Sequence, residues 1–397
     1  MPSGSADGTA VRGEPVARLA RAALSLRPLL DVLPAPVPVA CDHGGEAADR
    51  LLRRITARLA LPELDLRSTA GGGEPETFPR IVGERLGLTG PVRDDLLGEP
   101  DDPAEVDRIV DAAVADDFDG FGTRLTAKAP DGTPLRIHTA GRPGLPAVVL
   151  ASAPGMPARL AEWWMRGLAP FHHVVTWESR GLPGPPGAAA PGTYDVAEQS
   201  ADLVTAMDSA GMARAHVIGL CGGAVLAVAA AALHPERVAS LSLWHGDFDL
   251  GPEGPKTEHQ RNLQALMAMV NEGRAPAAAI HGMLCRTMSG SVPADLAHLV
   301  LYPYATVGLF SRYCALNGAI MGTDVRPYVS AVTAPALVVT STDDSTAHPA
   351  GSAWVAEHLD RAESWIRPHG DHLSLFRGAA DLLGRTAAFL ARHPART

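Results

Sequence analysis

One stretch of this chain has the residue types and spacing for covalent chemistry: Ala215-His216-Val217-Ile218-Gly219-Leu220-Cys221-Gly222-Gly223-Ala224-Val225-Leu226. An apolar run ends in glycine, Cys221 follows one residue later, and an alanine-rich run of helical composition then closes at His234-Pro235. The spacing predicts strand, tight turn and helix, with a thiol presented on the turn as a nucleophile. Small neighbours are needed where strand and helix come together, and Gly219 and Gly223 supply them. The helix would point its N-terminus at Cys221, which favours a thiolate. Taken alone, the same residues also fit a buried cysteine in a glycine-rich turn.

The elements that must hold this turn are legible around it. Arg124 to Lys128 and Leu135 to Thr139 flank Asp131-Gly132, a hairpin signal. Ala147 to Ala151 reads as a buried strand, followed by the turn Ser152-Ala153-Pro154-Gly155-Met156. A helix carrying Trp163 and Trp164 leads to a strand over Phe171 to Trp177, and Asp195 to Ala210 reads as the helix before the elbow strand. Val238 to Leu243 is a further short apolar strand. Strands alternating with helices over short links imply a parallel sheet covered on both faces.

Residues 1–120 read differently. The first dozen are polar and expected to be unstructured, Pro15 to Leu33 and Ala47 to Leu59 have helical spacing, and Leu64 to Pro79 is loop-like with Gly71-Gly72-Gly73. Asp102-Pro103 opens a further amphipathic run to Val114. We read this part as a helical extension, a packing or dimerisation element, with a partial roof over the active site as the alternative.

Composition narrows the function classes. At 397 residues the chain can bury a large α/β core, and a net charge of −10 with no basic block gives a nucleic-acid role little support. Lysine occurs only at positions 128 and 256, a bias that looks like a high-GC bacterial genome. The cysteines, Cys41, Cys221, Cys285 and Cys314, show neither a C-x-x-C pair nor zinc spacing, so no metal and no cofactor is expected. No secretion signal and no apolar run of membrane-spanning length is recognisable, so the expected setting is a reducing cytoplasm that keeps Cys221 a thiol.

From about residue 121 to the end, the chain resembles the α/β-hydrolase superfamily, in a variant with cysteine as nucleophile. The elbow matches, and Glu178-Ser179-Arg180-Gly181 resembles the family's acidic-x-Arg-Gly turn after the fourth strand. Ala334 to Val339 followed by Asp343-Asp344 resembles the penultimate strand and its acid, and Gly370-Asp371-His372 resembles the histidine loop. Two departures stand out: cysteine replaces the usual serine, and the His-Gly turn after the third strand reads Ala151-Ser152-Ala153-Pro154-Gly155. The resemblance implies an α/β-hydrolase fold with a helical lid over about 247–323, rich in Leu263, Leu266, Met267, Met269 and Val270 and roofing an apolar pocket. Cys285 and Cys314 within it are read as packing residues.

The same resemblance implies roles. Cys221 would attack a carbonyl, His372 would take or balance its proton, and an acid would orient the imidazole. Asp344 matches the family position; its neighbour Asp343 and Asp247, after the Val238 strand, remain alternatives, and His348, His369 and His245 are further histidines expected near the site. Gly222 and Ala153 would donate backbone N–H groups to the oxyanion, whereas Pro154 has none to give. A thioester acyl-enzyme is close in energy to a carrier thioester, which suits an ester or thioester substrate bound to CoA or a carrier protein. Polyhydroxyalkanoate synthases and dienelactone hydrolases have a similar cysteine box. Releasing thioesterases and acetate-eliminating enzymes of polyketide and tetronate assembly offer comparisons by fold and composition. The implied activity is acyl-enzyme hydrolysis or transfer in secondary metabolism; a lyase of the same fold and a non-catalytic binder are the other readings. A small-molecule substrate and a homodimer are the expected partners.

Overall fold

A computed structural model describes residues 6–42, 46–69, 76–89, 102–182, 192–288 and 292–395. The described residues fall into two compact units, one of Met1–Phe121 with His281–Val307, the other of Gly122–Ile280 with Gly308–Thr397.

The first unit is not all helical. A helix over Ala6–Leu30 precedes strand β1 (Val37–Cys41), a helix over Glu46–Arg58 and strand β2 (Leu64–Ser68). β1 and β2 run parallel with Val37 opposite Leu64. Helices over Thr77–Leu86, Pro103–Asp116 and Ala294–Val300 complete it. Leu24, Leu26, Leu29, Ile55, Val37, Val39 and Val110 are buried at its centre. The two arginines one helical turn apart on Glu46–Arg58 grip two aspartates one turn apart on Pro103–Asp116, Arg54 with Asp107 at 2.8 Å and Arg58 with Asp111 at 2.7 Å. The helix start at Ala6 corrects the expectation of an unstructured first dozen, and Gly71-Gly72-Gly73 lies outside the described residues.

The second unit is built on an eight-stranded sheet. Its strands are β3 (Thr123–Lys128), β4 (Pro134–Ala140), β5 (Ala147–Ala151), β6 (His173–Trp177), β7 (Ala215–Leu220), β8 (Val238–Trp244), β9 (Ala336–Ser341) and β10 (Ala362–Arg367). Their spatial order is β10-β9-β8-β7-β5-β6-β4-β3; β4 runs antiparallel to both β3 and β6, and the remaining pairings are parallel. This is the α/β-hydrolase fold. The central strands β5 and β7 are Val-, Ile- and Ala-rich because both faces are covered. The helix Gly223–Leu233 is apolar all round because it too is buried all round.

The lid reading needs correction at its boundaries. Helices over Glu258–Asn271 and Val307–Met321 pack within the second unit, joined by Asn271 Nδ2 donating to the Cys314 carbonyl at 2.9 Å. Residues 281–307 instead group with the first unit, where Thr77 Oγ1 donates to the Cys285 carbonyl at 3.0 Å. Helix Val307–Met321 does lie against the elbow: a β-carbon on Gly222 would stand 3.4 Å from Ile320, and one on Gly155 would strike Tyr313. Cys314 is buried, and burial pushes its thiol up to about 12, in line with a packing residue.

Arg180 ties three elements together from a fully buried position. Its Nε and Nη2 donate in a fork to Asp202 at 2.8 Å each, and Nη1 donates to Asp131 and to the Thr193 carbonyl, both at 2.9 Å. The hairpin loop, the helix Val196–Ser209 and the turn after β6 are thereby fixed to one guanidinium. Replacing it, as in Arg180→Met, leaves the Asp202 carboxylate buried and uncompensated. The expected loss is about 3–5 kcal/mol in urea unfolding, against a minor change if the cluster were an ordinary surface pair.

Candidate active site

β7 delivers Cys221 to a turn at φ +57°, in the left-handed region that costs a side-chain-bearing residue about 1–2 kcal/mol. The turn survives because its surroundings leave it no alternative. The Cys221 N–H donates to the Trp244 carbonyl at 3.0 Å, and its carbonyl accepts from Ala224 at 3.0 Å. A β-carbon on Gly219 would come within 2.5 Å of the Ala224 Cα, and one on Gly223 would run into the Ala151 carbonyl. The glycines are thus dictated by the approach of the helix to β5 and β7.

β9 ends at Ser341, and Asp344 follows in a buried turn. Its Oδ1 accepts from the backbone N–H groups of Thr346 at 2.8 Å and Ala347 at 3.0 Å. Its Oδ2 meets two imidazoles, His372 Nδ1 at 3.0 Å and His245 Nδ1 at 2.7 Å. Burial alone would raise this carboxyl, but the hydrogen bonds from His245 and His372 outweigh it and hold Asp344 well below the usual carboxylate range. A carboxylate in that state accepts, so both histidines donate from Nδ1.

His372 is buried, its Nε2 completes no hydrogen bond among the described residues, and it lies close enough to Cys221 for the two to interact. Burial works against its protonation, yet charge on Cys221 and the Asp344 contact together push it well above the ordinary imidazole value. The arrangement favours an imidazolium whenever the sulfur is negative.

The other acids sit elsewhere. Asp343 is bonded to the exposed His369 at 3.1 Å. Asp247 is tied by its own N–H to the Cys221 carbonyl at 3.4 Å and accepts from Gln260 Nε2 at 2.6 Å; burial pushes its carboxyl up. It lies close enough to His372 for their charges to interact but is not hydrogen-bonded to it. His348 caps the helix Pro349–His358 through Nδ1. His245 stands out as the residue whose role the sequence did not reveal.

The loop after β5 meets the elbow. Pro154 Cδ would lie 3.0 Å from a β-carbon on Gly222, so Ala153 and Gly222 flank one space, and neither N–H donates to a backbone carbonyl among the described residues. The turn after β6 fixes this loop: Ser179 Oγ accepts from the Gly155 N–H at 2.8 Å and Glu178 from the Ala158 N–H at 2.9 Å. Among the described residues, His245, Asp344 and His372 form the group whose ligand atoms, within 4.8 Å of one another, could hold a metal. An ion there would have to displace both imidazole hydrogen bonds on Asp344.

No family model matches the chain. A protein named for carbamate hydrolase activity from Variovorax paradoxus is 26% identical over 271 residues, 65% of this chain and 97% of that one. Epoxide hydrolase A from Mycobacterium tuberculosis is 36% identical over 116 residues, 28% of this chain and 35% of that one. The solved enol-lactonase from Burkholderia xenovorans, 20% identical, covers 67% of this chain and all of its own with a TM-score of 0.53. That last likeness shows the fold.

The depressed carboxyl of Asp344 links stability to pH. Its folded value lies below the unfolded value of about 4, so the unfolded chain takes up the proton first as pH falls. Its stabilising contribution is therefore complete above the ordinary carboxylate range and drains away as pH falls through the folded value. The stability gap between the wild type and Asp344→Asn, read from urea midpoints, should narrow from about pH 6 to about pH 3. A constant gap would contradict this linkage.

Proposed function

We propose that this protein is a cysteine-dependent enzyme of the α/β-hydrolase fold that transfers the acyl group of an ester or thioester onto Cys221 and then to water or another acceptor. The observation that carries the reading is His372, bonded to Asp344 through Nδ1 while its Nε2 is left open toward Cys221. The names of the relatives support its coarser part, a hydrolase of this fold.

The chemistry follows from the geometry. The thiol proton passes to His372 Nε2, and Sγ adds to the substrate carbonyl carbon. The carbonyl oxygen, now negative, receives the N–H groups of Gly222 and Ala153. When the intermediate collapses, the bond to the leaving alcohol or thiol breaks and His372 returns the proton to it, leaving an acyl thioester on Cys221. The incoming water or acceptor then gives its proton to His372 as it attacks. Asp344 stays ionised throughout and keeps the Nδ1–H tautomer in place. CoA and carrier-protein thioesters are well matched donors, because sulfur-to-sulfur transfer is close to energetically neutral.

Turnover of aryl esters and acyl-CoA thioesters tests the roles. Cys221→Ala should remove activity, and Cys221→Ser should leave a small residue of it, since a hydroxyl needs closer alignment with its base than a thiol does. Asp344→Asn should cost about a hundred-fold or more, and Asp343→Asn little. Full activity in Cys221→Ala would end the covalent reading. Acid plus alcohol or thiol as products supports acyl transfer to water; acid plus alkene would point to elimination instead.

A further inference from the structure

We infer that His245 is a positioning residue of this site, a second imidazole that shares the Asp344 carboxylate with His372 and sets how firmly that carboxylate holds it. The inference rests on the cysteine reading above.

The bonding on Asp344 leaves little room for another account. Oδ1 is taken by two backbone N–H groups, so Oδ2 is the oxygen left for side chains. His245 reaches it at 2.7 Å, closer than His372 at 3.0 Å. The two rings stand edge to face with centroids 5.9 Å apart. His245 is fully buried, and its Nε2 has no hydrogen-bond partner among the described residues. An apolar side chain would avoid the cost of that unmade bond, so the Nδ1 contact is what the imidazole contributes. The backbone is also set for it. His245 directly follows β8 at φ +47°, in the left-handed region, with its N–H bonded to the Val339 carbonyl at 2.8 Å.

The groups acting on the pair can be named. Asp344, His372 and Arg367 face His245, while Cys221 and Asp344 face His372, and Asp247 and His259 lie within its electrostatic reach. Burial lowers the proton affinity of His245, and the charges of His372 and Arg367 add to this, although Asp344 opposes it. A neutral His245 donating to Oδ2 draws negative charge away from His372. Without that bond, Asp344 would stabilise the His372 imidazolium more strongly, and the Cys221 thiolate would form at lower pH.

The test is the pH profile of Cys221 alkylation by iodoacetamide, read on the Cys221 peptide by mass spectrometry in the full chain. Asparagine places its amide nitrogen near the position of Nδ1 and tolerates positive φ; glutamine places its own near Nε2. His245→Asn should keep the wild-type midpoint, and His245→Gln should move it to lower pH by about one unit. Matching profiles in both variants, equal shifts in both, or a shift of the glutamine variant to higher pH would overturn the role of His245. His372→Gln serves as the control. If it leaves the wild-type midpoint unmoved, Cys221 is not coupled to His372, and the cysteine reading falls together with this inference.

Discussion

Strand β7 and the helix Gly223–Leu233 approach so closely that neither Gly219 nor Gly223 has space for a side chain, and Cys221 is forced to φ +57° between them. That crowding fixes the direction of the thiol. It also brings the Ala153–Pro154 loop against Gly222, so the two candidate oxyanion donors come from segments already in contact. The loop is held from its other side by Ser179 and Glu178, and the turn bearing them is held by Arg180 on Asp202 and Asp131. A chain of polar contacts thus runs from the sheet edge to the loop that packs on the elbow. The strain at Cys221 persists because the packing around it is over-determined.

The second centre of the site is a carboxylate with every lone pair in use. Two backbone N–H groups and two imidazoles converge on Asp344, which keeps it ionised and immobile. Asp247 shows the opposite case: half-buried, with one bond from Gln260 and pushed toward its neutral form. Two carboxyl groups near one histidine are therefore pushed in opposite directions, Asp247 up by burial and Asp344 down by its hydrogen bonds. This difference favours Asp344 as the partner of His372.

The elbow was legible because its signal is local: an apolar strand, a residue bracketed by glycines and an alanine helix stand within about a dozen residues. The hairpin at Asp131-Gly132 and the strands around Ala147, His173 and Val238 were legible for the same reason. β10 went unread because Ala362–Arg367 alternates charge and exposure at the sheet edge. β1 was masked by Pro36 and Pro38, which are tolerated because both strands of a two-stranded sheet are edges. The lid boundary was misplaced because the grouping of residues 281–307 with the first unit depends on contacts between distant segments, such as Thr77 with Cys285. His245 was marked only as one of three histidines expected near the site, and its bonding was hidden for a related reason. Its partner lies 99 residues away, and nothing near it in the sequence sets it apart from His348 and His369.

The central claim is a covalent bond between substrate and Cys221, and it can be weighed. The full chain is mixed with a slowly hydrolysed activated acyl thioester, quenched in acid and examined by intact-protein mass spectrometry, then by peptide mapping. The account requires a mass gain of one acyl group located on the Cys221 peptide, released again by hydroxylamine as a thioester should be. An unmodified chain during turnover, or an acyl group found instead on Cys41, Cys285 or Cys314, would contradict it.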